Sequence, residues 1–323
     1  MCVIFFRFDT SGTDRYRLIC AANRDEFLAR PTEPAHFWPD PHSQILAGTD
    51  LVHSTVLPHS DSTNFTSQTG SESQISNRGG AKTNGTWLGV TKNGRFAFIT
   101  NVRAAEVSDT TLLSRGFLVS EFLTSKVSPQ EYLSRLAKNA DKYGGFNLVV
   151  GDLIEPQVWY FGNKSGEPPV ALKSGSLYAL SNATLTTGRD WHKVKFGSAL
   201  FETVVESRDR LEKETLVNNL LDILRNKSSN PPAEATEMQK FLDPICIDER
   251  NGYGTRTHTV VLVDSLLQTQ MVEIDRYILD TKIEYWNGRM AYIDLYVKNT
   301  GHKIEEKEQR RNFTFNDTEK YKQ

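Results

Sequence analysis

The chain has 323 residues, 38% hydrophobic and 24% charged, with 38 Lys and Arg against 40 Asp and Glu. That length allows one large domain or two small ones with a substantial core, and the balanced charge argues against a nucleic-acid surface. Phe 17, Tyr 11 and Trp 5 exclude a wholly disordered chain, and the longest apolar runs are strand-sized, so no transmembrane segment is expected. Arg7 and Asp9 interrupt the first apolar stretch, which is unlike a secretory signal. Three cysteines are too few and too scattered for a disulfide framework or a zinc cage. The expectation is a cytoplasmic protein that is not secreted.

In chain order, residues 3–8 and 16–22 read as strands joined by a Ser11-Gly12-Thr13-Asp14 turn. Residues 53–83 are rich in Ser, Thr, Asn, Gln and Gly and read as a flexible, low-complexity insertion. A second hairpin follows around the Lys92-Asn93-Gly94 turn. Helical spacing then covers about 111–124. A second helix over about 128–141 opens with Ser128, Pro129 and Glu131, a cap signature, and ends at Gly144-Gly145. Strands return at 146–150, 157–161 and 177–182. A second helix pair covers about 191–207 and 213–225, closed by Pro231-Pro232. The last third holds strands at 258–264 and 270–277 and a hairpin pairing 282–286 with 290–296. Residues 299–323 read as a disordered charged tail. Hairpins alternating with helix pairs predict an α+β fold, a four-layer αββα sandwich of two stacked antiparallel sheets in one domain over 1–298.

Cys2 is the first candidate for chemistry. Removal of Met1 would place a free α-amine, titrating near pH ~8, on the same residue as a thiol titrating near ~8.5. That combines nucleophile and base in one residue. The alternative is a small apolar strand residue. Asn23-Arg24-Asp25-Glu26 follows the second strand directly, and alternation places Asn23 and Asp25 on one face and Arg24 and Glu26 on the other. An Arg near the thiol would lower its pKa, and an Asp could hold the new ammonium. Asn101, Asn147 and Asn182 lie in or at the ends of strands, and Arg256 precedes another. Such amides can donate to an oxyanion or simply satisfy a turn. His36, His42, His53 and His59 crowd one region without metal-ligand spacing, and read as solvated loop histidines.

Met1-Cys2-Val3-Ile4, Ala22-Asn23-Arg24-Asp25-Glu26, Gly85-Thr86-Trp87-Leu88-Gly89, Thr100-Asn101, Gly145-Phe146-Asn147-Leu148, Leu180-Ser181-Asn182 and Tyr253-Gly254-Thr255-Arg256-Thr257 resemble the transport and Golgi organization 2 family, also called the NRDE family. The motifs arrive in the family's order over roughly residues 1–297. The insertion and the tail depart from the compact animal members and give the chain a fungal look. The resemblance implies a fold like that of N-terminal nucleophile hydrolases. It also implies association with Golgi organization, protein secretion and haem or related metabolite trafficking, in the cytoplasm at the Golgi or mitochondria. No cofactor is required on this reading; haem enters as a cargo, with Cys20 and Cys246 among its candidate ligands. Penicillin acylases and bile-salt hydrolases are a more distant comparison. Their N-terminal Cys, early Arg and Asp, two Asn and late Arg look similar to Cys2, Arg24, Asp25, Asn101, Asn182 and Arg256. The departure is that Arg24 and Asp25 are adjacent here.

Two functions follow as expectations. The pocket holds a small-molecule ligand or haem without turning it over, or it cleaves a small C–N amide through a Cys2 acyl-enzyme. Nothing in the sequence identifies a protein partner.

Overall fold

A computed structural model describes residues 2–56, 82–102, 112–278 and 305–316. Its strands, in chain order, are β1 (Val3–Phe8), β2 (Tyr16–Phe27), β3 (Thr32–Phe37), β4 (Ile45–Val56), β5 (Lys82–Gly85), β6 (Leu88–Thr91) and β7 (Arg95–Asn101). They continue with β8 (Phe146–Asp152), β9 (Gln157–Gly162), β10 (Val170–Ala171), β11 (Leu177–Leu180), β12 (Tyr253–Asp264), β13 (Gln268–Ile278) and β14 (Glu305–Asn316). The helices are α1 (Gly116–Thr124), α2 (Pro129–Ala137), α3 (His192–Glu206), α4 (Lys213–Leu224) and α5 (Glu237–Leu242).

Two antiparallel sheets result. The first has the order β11-β1-β2-β12-β13-β14; the second runs β10-β9-β8-β7-β6-β4-β3, with β5 also on β4. Strand alternation sorts the apolar side chains into three cores. Leu18, Cys20 and Ala22 of β2 join Phe96, Phe98 and Val149 between the sheets. Ile19 and Ala21 of the same strand join Phe201, Leu216 and Leu220 under α3 and α4. Ile45, Ala97 and Leu148 of the second sheet meet Leu118, Phe122 and Leu133 of α1 and α2. The layers are therefore helix, sheet, sheet, helix. Each fully buried Leu or Phe contributes roughly 1.5–3 kcal/mol of transfer free energy, so all three cores bear on stability. Among the described residues no helix is long and apolar enough to cross a membrane.

The helices begin where local chemistry dictates. Pro129 opens α2 and Ser128 Oγ accepts from Glu131 N–H at 3.3 Å. α3 lies so close to β1 that a Cβ on Gly197 would sit 2.2 Å from Phe5 Cζ, which requires glycine there.

Four expectations need correction. The stretch 53–83 is not wholly an insertion: β4 runs on to Val56, and β5 begins at Lys82 and pairs with it. Residues 57–81 lie outside the described residues. The stretch 299–323 is not simply a disordered tail, because β14 pairs with β13 from Gln268↔Asn316 to Ile278↔Glu305. Phe313 and Phe315 alternate inward there and pack against the core between the sheets, which the flanking charges concealed. β3 and the first part of β4 went unread in a stretch punctuated by Pro31, Pro34, Pro39 and Pro41. The short helix α5 also went unread, although Thr236 and Gln239 form a complete capping box. The hairpin expected over 282–296 lies outside the described residues.

Candidate functional site

The ladder between β1 and β2 ends at Val3↔Asn23, so Cys2 emerges beside Arg24 and Asp25. β12 continues the frame on the other side of β2. Thr255 pairs with Asp25 and Thr257 with Arg24, leaving Arg256 in a β-bulge between them. From the second sheet, Thr100 Oγ1 donates to Ser181 O at 2.6 Å. Buried Asn147 donates through Nδ2 to Ser181 O at 3.2 Å and Ala183 O at 2.8 Å, and accepts from Tyr160 Oη at 2.7 Å. The loop held in this way donates Ser181 Oγ to Cys2 O at 2.8 Å. Both sheets thus fix the position of Cys2.

Cys2 is partly exposed as a residue, but its thiol is enclosed. Enclosure raises the thiol pKa, and the Asp25 carboxylate adds to the rise. The backbone N–H of Asp25 donates toward the sulfur and, with Arg24, acts in the opposite direction. The thiol therefore rests protonated near neutral pH and requires a base.

On the helix-facing side, Asp25 is 4% exposed and accepts from Thr255 Oγ1 at 2.6 Å. Burial raises its pKa, opposed by Lys193, the Thr255 hydrogen bond and Arg276. Lys193, in the first turn of α3, is 1% exposed, and its Nζ has no hydrogen-bond partner among the described residues. Burial lowers its pKa, opposed by Asp25, Cys2 and Asp243. Asn23 donates to Leu224 O at 2.8 Å and Ile245 O at 2.9 Å. With both amide hydrogens so used, its Oδ1 accepts from His258 Nδ1 at 2.6 Å. That assigns the His258 proton to Nδ1, and burial, followed by Arg276 and Arg225, lowers its pKa to about 3.

On the sheet-facing side, Arg24 stacks over Trp87, with the guanidinium carbon 4.0 Å from the ring centroid. Arg256 turns from the bulge toward Arg30 O and Thr32. Cys2, Arg24, Trp87, Ile4 and Ile99 line a cavity of about 10 Å³, the size of one water. A separate open cleft of about 570 Å³ lies at the other end of the β1–β2 hairpin, where Arg208 Nη2 pairs with Asp14 Oδ2 at 2.7 Å.

The six expected residues are thus placed as follows. Cys2, Arg24 and Asp25 are adjacent, with Arg24 and Asp25 on opposite faces of β2. Arg256 joins the Arg24 side. Asn182 Nδ2 donates to Asn101 O at 2.6 Å, so these two meet through a backbone carbonyl. The Asn101 residue itself is exposed. Asn182 has a second amide hydrogen for another acceptor, and Ser181 carries it close to Cys2. Sequence reasoning missed Lys193, Trp87 and Thr32. Lys193 directly precedes Val194 on a helix whose buried positions include Gly197, Phe201 and Val205, and only the packing of α3 on β1 encloses it. Among the described residues, no group of three or more His, Cys, Asp or Glu is placed to hold a metal ion.

Residues 1–278 match the family model described as Transport and Golgi organisation 2. Among curated proteins, the human Transport and Golgi organization protein 2 homolog is 34% identical over 303 residues, covering 90% of this chain and 97% of the relative. The Drosophila melanogaster Transport and Golgi organization protein 2 is 30% identical over 306 residues, with coverages of 89% and 96%. Among solved structures, a Caenorhabditis elegans N-acylethanolamine-hydrolyzing acid amidase ortholog superposes with a TM-score of 0.41 at 11% identity, over 81% of this chain and 92% of that one. A conjugated bile acid hydrolase from Clostridium perfringens gives 0.40 at 7%, over 84% and 88%.

Proposed function

The chain belongs to the transport and Golgi organisation 2 family, and on that premise we propose that its working part is the Cys2 pocket, acting as a cysteine N-terminal-nucleophile amidohydrolase on a small C–N amide. The observation that carries this reading is the enclosed Cys2 thiol, held by both sheets beside the Asp25 N–H, the Asp25 carboxylate and Lys193. With Met1 removed, the Cys2 α-amine takes the thiol proton and sulfur attacks the amide carbon. The second Nδ2 hydrogen of Asn182 is available to the oxyanion that forms. The protonated amine then gives its proton to the leaving nitrogen as the C–N bond breaks. Water attacks the resulting thioester, returning the proton to the thiol and releasing the acid. Asp25, beside Cys2, compensates the ammonium in the interval.

The test has two parts. Intact mass establishes whether Met1 is absent from the purified protein. Hydrolysis of a panel of small amides is then compared with that of Cys2→Ala. Turnover lost in the variant supports the reading. A chain that begins at Cys2 and cleaves none of the panel overturns it.

A second reading follows from the relatives, named for transport and Golgi organization, which the chain matches over nearly their full length. In it the chain serves Golgi organization, protein secretion and the movement of haem or a related metabolite, without turnover, in the cytoplasm or at the Golgi or mitochondria. The described cavity is far smaller than the roughly 300–1,000 Å³ of a ligand site, so both readings require the pocket to open. Cys2→Ala that leaves cellular haem distribution and secretion intact separates it from thiol chemistry.

A further inference from the structure

Two guanidinium groups share one hydroxyl on the sheet-facing side of the site. Arg24 Nη1 donates to Thr32 Oγ1 at 3.4 Å, and Arg256 Nη1 donates to the same oxygen at 3.2 Å. Among the described residues neither arginine has a carboxylate within hydrogen-bond distance, and Glu273 interacts with Arg24 only from longer range. The carboxylate nearest Arg24 is Asp50, at 3.9 Å, but Asp50 Oδ2 already accepts from Arg30 Nε at 2.8 Å. Glu26 also leans on Arg30, at 3.8 Å. Among the described residues Arg256 bonds only to neutral oxygens, Arg30 O at 2.5 Å and Thr32 Oγ1. Asp275, Glu26 and Asp50 act on it only from longer range. Arg115, just before α1, is a third guanidinium within reach of the Glu26, Arg30 and Cys2 charges, and its Nη1 goes to Gly145 O at 3.0 Å.

Burying cations on neutral partners is unfavourable. Arg24 is only 6% exposed. The arrangement has a further penalty in mutual repulsion: burial first, and then Arg24, push the Arg256 pKa down to about 10. A guanidinium presents planar, paired donors that match a carboxylate or phosphate edge. Such a group lying between the two arginines would relieve both penalties. Arg24 also lines the same small cavity as Cys2, so an anion held there would lie beside the sulfur.

We propose that Arg24 and Arg256 form a subsite for an oxyanion, a carboxylate or phosphate carried by the small molecule that enters the Cys2 pocket. The subsite deepens the reading of that pocket as the working site. It narrows the substrate or cargo to organic acids and phosphate esters. Thr32 orients the two guanidiniums, and Trp87 holds Arg24 flat.

Alkylation of Cys2 tests this without any turnover, so loss of the subsite and loss of the hydrolase reading are separate results. Iodoacetate and iodoacetamide react with a thiol identically, sulfur displacing iodide and the thiol proton passing to solvent, but only iodoacetate carries a carboxylate. The ratio of the two rates cancels any change in thiol pKa. Peptide mass spectrometry separates Cys2 from buried Cys20 and Cys246. The expected ratio at Cys2 is at least about tenfold above that of free cysteine, as one Arg–carboxylate contact implies. Acetate or inorganic phosphate should suppress the iodoacetate rate, with chloride at equal ionic strength as the control. Arg256→Gln should return the ratio toward that of free cysteine while melting no lower than the wild type, because it removes a repelled buried cation. A ratio equal to that of free cysteine in the wild type overturns the proposal, as does a high ratio that survives in a folded Arg256→Gln. If that variant does not fold, competition by acetate and by phosphate on the wild type decides: suppression by either supports the subsite, and suppression by neither overturns it. Suppression by acetate but not phosphate assigns a carboxylic acid, and the reverse assigns a phosphate ester.

Discussion

Asn23 and Arg24 are neighbours in β2 and almost equally buried, at 1% and 6% exposure, yet their surroundings differ in kind. On the helix-facing side the Asn23 side chain is fully bonded. Its amide ties the end of α4 and residue 245 to β2, and its carbonyl oxygen holds His258. On the sheet-facing side, where Arg24 lies, the contacts are long, and among the described residues Arg24 and Arg256 have no carboxylate within hydrogen-bond distance. A buried polar group with short, complete bonds is a strut. One with long or neutral partners retains binding capacity. Cys2 sits where the two sides meet.

The largest expected effect tests the strut. Asn23→Ala leaves two buried carbonyls and the His258 ring without their partner, and should lower stability by about 3–4 kcal/mol in denaturant unfolding. A loss below about 1 kcal/mol would erase the contrast between the two sides.

Next comes Glu273, buried on the sheet-facing side of β13. Its Oε1 accepts from Ala35 N–H at 2.6 Å and links the two sheets, while its Oε2 has no partner among the described residues. Burial, aided by Asp275, raises its pKa to about 7. The folded state thus holds more protons than the unfolded state between about pH 4.5 and 7, so this group's contribution to stability is full below that window and lost as pH rises through it. Glu273→Gln keeps the acceptor and abolishes the charge. It should come within about 1 kcal/mol of the wild type at pH 5 and exceed it by about 3 kcal/mol at pH 8. Parallel unfolding curves at the two pH values check this; no difference at pH 8 would mean that the sheet-facing side tolerates the carboxylate.

A smaller effect is expected at β14, which covers the same side at the outer edge of the first sheet. Phe315 packs edge-on to Phe37, with ring centroids 5.4 Å apart. Phe315→Ala should reduce stability by about 1 kcal/mol and leave Cys2 alkylation unchanged. A change in alkylation would mean that β14 reaches the site.

The finest test uses the thiol as the reporter. Asp25 raises the Cys2 pKa through its carboxylate and Arg24 lowers it. Asp25→Asn should therefore move the pH midpoint of Cys2 alkylation down, and Arg24→Gln should move it up. Shifts of the same sign would show that the two sides do not oppose each other at Cys2.

Much of this was legible from residue order. The four layers followed from hairpins alternating with helix pairs, because one sheet face can bury only one helix pair. Alternation separated Asn23 and Asp25 from Arg24 and Glu26, since side chains on a strand point to opposite faces in turn. The motif residues themselves drew attention to Cys2, Arg24, Asp25, Asn182 and Arg256. Tertiary structure alone decided what these residues meet. Lys193 is an ordinary helix lysine until α3 settles on β1 at Gly197, and Trp87 has no evident role until the sheets stack and bring it over Arg24. The bulge that turns Arg256 toward Thr32 is a register shift between β2 and β12, set by two strands more than 200 positions apart. β14 was hidden because its charges face outward and only its pairing with β13 reveals the apolar alternation. Local periodicity determines which face a side chain takes. Whether that face holds a complete set of partners depends on charges and hydroxyls brought together from distant parts of the chain, and only the packed structure could show that.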